Sequence, residues 1–446
     1  MRLMSRPARH LRRAVFLCVI CIIAVLAALN SSPADSKPGQ NAKKFKPVQA
    51  SSDQFVWRVD LHSLGYPADD PLLQRRRGLN NFDTLDFVSA TVEVATFLTQ
   101  EPAHDLHRRE AANPAPYTLH AVFLDAASGK VLGTLEWPVD DSSAGIFPRY
   151  DGSFLFFSTG RVVLYSADRQ PVKELLLPQL QEPHASLLGI AESPSGKTLL
   201  IYFRNEKSRS CIRVDTGTLE GSEEVCAMGT MFTVSDKGMA AHKERDTKKE
   251  IDSGPQFDPQ VAPVGTFESS ILIRAKPGES QYTLCESHDP TDGYCLSPQF
   301  ITDESIALFS GMELALSDLK GRATVIFKQS PNPSDNQWID PGGHPVRPSA
   351  DGQRFALALS ESVFQVFGGA GTLYGSPSEL PAEYADRIQV FDMRMNNWIY
   401  LLQNKDKQFS KIWGLALSPS GGRLAVDSGG VIQTYALPLT DTTSRH

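Results

Sequence analysis

Along this chain, apolar runs of about five residues alternate with clusters of Gly, Asp, Ser and Asn, and no long stretch follows the 3.6-residue period of a helix. That texture predicts an all-β chain. One unit recurs: an apolar strand, a polar turn of about five residues, and a second apolar strand. Its first strand ends at Asp125, Ser166, Asp215, Ala275, Ser317, Asp392 and Ala436, a spacing of about 52 residues that belongs to propeller blades rather than helical solenoids. A hairpin precedes each copy, as in FPRYDGSFLFF, GIAESPSGKTLLIYF, VRPSADGQRFALAL and LALSPSGGRLAV, with TLDFVSATVEVATF as a degenerate first member. Two hairpins make a four-stranded blade. Seven repeats therefore predict an all-β, seven-bladed β-propeller, with six or eight blades as the margin.

The ends supply a separate argument. The last repeat holds only three strands, and QFVWRVDL at residues 54–61 is a strand without a repeat of its own. An N-terminal strand that completes the last blade closes the ring and leaves no unpaired edge. The SPSG, SADG and YDG hairpin tips resemble those of exported bacterial propellers in the WD-repeat/YVTN-like superfamily. The resemblance covers residues 54–438 and implies the fold alone. No blade carries a Trp-Asp dipeptide, and Gly343-His344 is the single Gly-His element.

The N-terminus changes the picture of where this propeller works. Arg2, Arg6, Arg9, Arg12 and Arg13 precede an unbroken apolar run from Ala14 to Leu29, the layout of an export signal. Residues 1–30 are expected to be a signal peptide or a signal anchor, 31–52 a flexible linker, 53–438 the propeller and 439–446 a tail. The run is just short of a comfortable membrane span, and large residues stand where a cleavage site wants small ones, so cleavage and a single retained anchor both stay open. Arg12-Arg13 also admits a twin-arginine reading. Basic residues before the run place the body outside the cytoplasm, periplasmic or extracellular. Without those five Arg, the 44 Lys+Arg fall to 39 against 51 Asp+Glu, a net charge of −12. Such a body is a poor partner for nucleic acid or anionic lipid.

Cys18 and Cys21 lie within the apolar run and read as membrane-compatible side chains. Cys211 with Cys226, and Cys285 with Cys295, form two close pairs, which in an exported chain are expected to be local disulfides. A site holding zinc on all four thiolates is the alternative.

Candidate chemistry gathers in three insertions, 100–116, 243–266 and 360–386, each between the second and third strands of its repeat and so all on one face of the ring. Long loops converging on one rim are a common form of binding surface, against a reading as tolerated surface drift. In the first insertion, His104 and His107 have the spacing of one helical turn beside Asp105 and Glu110, but a pair is not a ligand set and no metal is expected. Asp289 and Asp292 lack the alternating acidic spacing of a calcium loop. The third insertion, GGAGTLYGSPSELP, lacks the Lys-Ser/Thr of a phosphate loop and reads as a mobile flap with Phe367, Tyr374 and Glu379 as contact residues. Neither GxSxG nor HExxH occurs, so no catalytic residue is assigned. Arg75, Arg76 and Arg77 read as a solvated loop.

Two functions fit. One is an extracytoplasmic binding module that works through the loop-rich face on a protein or glycan partner, as a monomer without a cofactor. The other is a propeller enzyme, a lactonase-like hydrolase or a metal- or quinone-dependent oxidoreductase, with ligands gathered at the central channel. First hairpins rich in Ser, Gly and apolar residues, with Asp236, Asp303 and Asp351 only at turn tips, favour binding.

Overall fold

The computed structural model describes residues 47–67, 85–100, 117–139, 144–158, 160–182, 185–205, 209–224, 226, 231–246, 267–274, 279–280, 282–287, 295–310, 313–328, 337–340, 346–363, 385–403 and 414–438. They form seven sheets in a closed ring, a seven-bladed β-propeller. Among them, the helical structure is two 3-10 turns, Leu61–Leu64 and Pro178–Leu180.

Blade 1 comprises Leu85–Phe87, Val92–Gln100, Tyr117–Asp125 and Val131–Val139. Blade 2 comprises Gly145–Pro148, Phe154–Ser158, Arg161–Tyr165 and Pro171–Leu176. Blade 3 is Ser186–Glu192, Thr198–Arg204, Arg209–Asp215 and Glu220–Glu224. Blade 4 is Met231–Val234, Met239–Asp246, Phe267–Arg274 and Tyr282–Ser287. Blade 5 is Cys295–Thr302, Ser305–Ser310, Glu313–Asp318 and Ala323–Lys328. Blade 6 is Arg347–Pro348, Arg354–Val363, Ala385–Asp392 and Asn397–Gln403. Blade 7 takes Gly414–Leu417, Arg423–Ser428 and Val431–Ala436 from the C-terminal end and Trp57–Asp60 from the N-terminal end. The expected closure is therefore present, with Trp57 opposite Thr434 and Asp60 opposite Val431.

Strand alternation explains why this sequence makes a ring. In the second strand of blade 3, Leu199, Ile201 and Phe203 enter the seam with blade 2, while Leu200 and Tyr202 enter the seam with blade 4. Blades buried on both faces read as nearly continuous apolar runs. The described residues hold seven apolar clusters, one at each seam between neighbouring blades. Seam 7/1 joins Trp57, Ala425 and Ile432 of blade 7 to Phe87, Phe97 and Val122 of blade 1. The Trp57 indole N–H also donates to the Ala126 carbonyl at 3.0 Å.

Two strands depart from the expected plan. Val48–Ser51, read as the end of the linker, runs parallel to Asn397–Gln403 and adds an outer strand to blade 6. Its polar composition hides it, but the Ser52 carbonyl accepts the Tyr435 hydroxyl at 2.8 Å. Gln337–Asp340 pairs with Ser360–Val363, beyond the short first strand of blade 6.

The turns between first and second strands, here called tips, interlock around one side of the ring. Gly152 N–H donates to Val88 across seam 1/2, and Asp351 N–H to Pro419 across seam 6/7. Gly196, with φ +71, lies where a Cβ would come within 2.7 Å of the Pro148 carbonyl and 3.1 Å of the Tyr150 ring. Only glycine fits that approach.

Candidate functional site

The residues expected to form a site, His104, His107, Phe367, Tyr374 and Glu379, lie outside the described residues, as do the N-terminal apolar run, Arg75 to Arg77, Asp289 and Asp292. Their flanking strands are described. Insertions 101–116, 247–266 and 364–384 each join the second strand of a blade to its third, in blades 1, 4 and 6, so all three leave the same side of the ring, opposite the tips.

Cys211 and Cys226 form a disulfide with Cα atoms 5.3 Å apart. Cys211 pairs opposite Glu224 at the end of the outer strand, so the bond staples the edge of blade 3 on the insertion side. Cys285 and Cys295 lie on strands of blades 4 and 5, with side chains outside the described set.

The acidic tips have structural work. Asp236 accepts the Ser195 hydroxyl at 2.8 Å, Asp303 accepts the Asp236 backbone N–H at 2.8 Å, and Asp351 accepts the Ser349 hydroxyl at 2.7 Å. They tie each tip to itself or to the next blade. Among the described residues, no group of three His, Cys, Asp or Glu gathers as metal ligands.

A different set of charges converges at the inner strands of the ring. Asp86 lies in the first strand of blade 1, Glu192 ends the first strand of blade 3, Arg347 begins that of blade 6, and Tyr150 follows that of blade 2. Leu85 and Phe87 are buried in seam 7/1, which turns Asp86 between them to the other side of its strand. First strands touch in succession from blade 3 through blades 4, 5, 6 and 7 to blade 1, and so form the innermost layer. Blades 1, 3 and 6 share no seam. The charges of Asp86 and Arg347 nonetheless act on Glu192, and those of Asp86, Glu192 and Arg347 on Tyr150. Only the central channel allows that meeting, and the turn positions of Tyr150 and Glu192 put it at the tip-side mouth.

All four residues are half-buried, and the electrostatics follow from that partial enclosure. Burial pushes the Asp86 carboxyl up to about 6, against the pull of Arg347 and the Phe87 N–H. Burial, and then the like charge of Asp86, hold Glu192 well above the usual carboxylate range despite Arg347. The Tyr150 phenol is raised by the same burial and by both carboxylates. Tyr150 also has φ 64, a left-handed backbone that a bulky residue keeps only where its surroundings impose it. The signal in the sequence was a charge inside an apolar first strand, as in LDFV, GIAES and VRPS.

A second polar array crosses the root of the first insertion. His120 lies 2.8 Å from the Thr99 hydroxyl and 3.2 Å from Glu136, with its ring stacked on Phe97 at 4.8 Å. This is a cross-strand ladder on the outer end of blade 1, oriented by packing and by a carboxylate.

The described residues contain no helix long and apolar enough to cross a membrane. No family model and no curated protein matches the sequence. The fold is that of a seven-bladed propeller, as its strand order, seams and shared last blade show. Solved structures similar to it include the Pan2 WD40 domain of Neurospora crassa, at 10% identity and a TM-score of 0.45, with 88% of this chain and 98% of that one covered. Hydrazine synthase of Kuenenia stuttgartiensis is similar at 12% identity and a TM-score of 0.44, with 81% and 97% covered. The C-terminal WD40 domain of Sif2 has 11% identity and a TM-score of 0.38, with 81% and 97% covered. These are likenesses of architecture only.

Proposed function

We propose that this chain is an extracytoplasmic binding module, a rigid ring that offers three long insertions on one face to a protein or glycan partner. One observation carries the reading. Second and third strands are 9 and 9 residues long in blade 1, 8 and 8 in blade 4, and 10 and 8 in blade 6. In blades 2, 3, 5 and 7 they are 5 to 7 residues long. On average the extra two to three residues carry the three hairpin stems roughly 7–10 Å farther on the insertion side, at 3.3 Å per residue. Blades 1, 4 and 6 are spread around a ring of seven, so the stems form a tripod. Paired stems give loops a fixed base, and loops on a rigid base are where binding residues concentrate.

Export is supported by the Cys211–Cys226 bond, since such bonds persist in oxidising compartments, and by the basic and apolar N-terminal segments. The test is site-specific photo-crosslinking in the host, with the reactive side chain at Tyr374, Phe367 or His107 on the insertions and at Ser195 or Gln353 on the tips. Discrete adducts from the insertion positions and none from the tips are expected. Adducts confined to the tips would overturn the reading.

A further inference from the structure

The charges at the tip-side mouth of the channel do a different job from the insertions. We infer that this mouth is a binding site for a small organic cation, a protonated primary amine, held by Glu192 and Asp86 beside the Tyr150 ring.

Three observations lead there. First, Glu192 Oε1 is enclosed and has no hydrogen-bond partner among the described residues. A buried acceptor without a donor is costly, and a bound N–H group relieves it. Second, burial favours the protonated form of Glu192, which leaves Asp86 balanced by Arg347; when Glu192 ionises, one negative charge is left over, which a single ammonium cancels and a dication overshoots. Arg347 also repels a dication, and no three-ligand group is present among the described residues to hold one. Third, Tyr150 keeps its left-handed backbone because the neighbouring tip closes over it at Gly196. That places an aromatic ring within the field of both carboxylates, and ring faces attract ammonium groups, more so when water is excluded.

Proton linkage gives the site a signature. Burial raises both carboxyls, Asp86 to about 6 and Glu192 well above its usual range. A bound cation favours their ionised forms, so binding expels a proton and strengthens as pH rises. A site held by hydroxyls or backbone carbonyls lacks that dependence.

The test is titration calorimetry on the full chain with n-alkylamines from methylamine to butylamine, with n-propanol as the neutral isostere and with calcium alone. Measurements are made at pH 5.5 and 7.5, in two buffers that differ in ionisation enthalpy. Saturable one-to-one binding of at least one amine at pH 7.5 is expected, at least tenfold weaker at pH 5.5, with release approaching one proton. Glu192→Gln is expected to weaken it tenfold or more, and Glu136→Gln, on the blade 1 stem, to leave it unchanged. No saturable amine binding, binding without proton release, or calcium in place of the amine would each overturn the assignment. Should the Glu192 variant not fold, proton release in the unaltered chain decides the question.

Discussion

The tip side and the insertion side of the ring are built on opposite rules. On the tip side, turns are short and each reaches its neighbour. Arg354 donates to Asp392 at 3.1 Å, to the Gly421 carbonyl at 2.7 Å and to the Pro438 carbonyl at 2.9 Å. Arg423 reaches the Ala126 carbonyl of blade 1 from the corresponding position of blade 7, and Arg213 carries blade 3 to the Ser235 and Gly238 carbonyls of blade 4. On the insertion side, strand lengths differ from blade to blade, and the staple found there is a disulfide. Seam contacts gathered at one side leave the other free to lengthen without loosening the ring, which suits a scaffold whose variable parts do the recognising.

The largest loss is expected at seam 6/7. Arg354 and Asp392 are both buried, 2% and 0% exposed. Burial pushes the Asp392 carboxyl up, but the Met395 N–H and the Arg354 guanidinium outweigh it and leave the group below its ordinary value. Its stabilisation is thus complete above the ordinary carboxylate range and lost as pH falls through the lowered value. Removing Arg354 leaves Asp392 with the half-exposed Arg394 guanidinium at 3.6 Å and the Arg394 and Met395 N–H donors, and takes the donor from the Gly421 and Pro438 carbonyls, so Arg354→Met is expected to cost about 3–4 kcal/mol in denaturant unfolding at pH 7.

On the insertion side the largest effect should come from the disulfide. Replacing Cys211 and Cys226 by Ser opens a loop with a sequence separation of 15, for which loop closure predicts a loss of about 3 kcal/mol. An equal loss on simple reduction of the native chain would show that the bond, and not the buried sulfur packing, is responsible.

Seam 7/1 differs from seam 6/7 in burying an acid that has no cation in contact among the described residues. Glu93 is fully buried and, among the described residues, accepts the Thr434 hydroxyl at 3.2 Å. Burial pushes it up to about 8, with Thr434 and Arg423 pulling it down and Asp125 pushing it up. A raised carboxyl contributes stability at pH values below the unfolded value, and that contribution is lost as pH climbs through 8. Glu93→Gln should therefore stabilise the ring on the order of 2–3 kcal/mol at pH 7 and flatten the decline between pH 5 and 8. A variant less stable than the parent at pH 8 would contradict the neutral state assigned to Glu93.

The architecture was legible because seam burial writes each strand as an apolar run. Third-strand ends read at Asp125, Asp215, Asp392 and Ala436 match the structure, and those at Ser166, Ala275 and Ser317 lie one residue away. Trp57 was legible as a closing strand because blade 7 lacked one. Val48–Ser51 was not, since an outer strand held by main-chain bonds needs no apolar pattern. Nor was the channel cluster. Asp86, Glu192 and Arg347 are distant in sequence, and nothing local says that blades 1, 3 and 6 face one another across the axis. The Cys211–Cys226 pairing was legible from spacing and strand position alone.

The smallest effect on stability is expected from shortening a single insertion. Cutting any one of 101–116, 247–266 and 364–384 to a four-residue turn should raise the unfolding free energy by only about 1–1.5 kcal/mol, and cutting all three by about 4 kcal/mol, since each doubling of loop length costs about 0.6 kcal/mol.

That shortened chain permits the most direct test of the division of labour between the two sides. Native mass spectrometry of the parent and shortened chains, isolated gently from the host with small molecules retained, should show a polypeptide or glycan partner on the parent and none on the shortened form. A partner retained by the shortened chain, or a stoichiometric metal or redox cofactor on both, would contradict it.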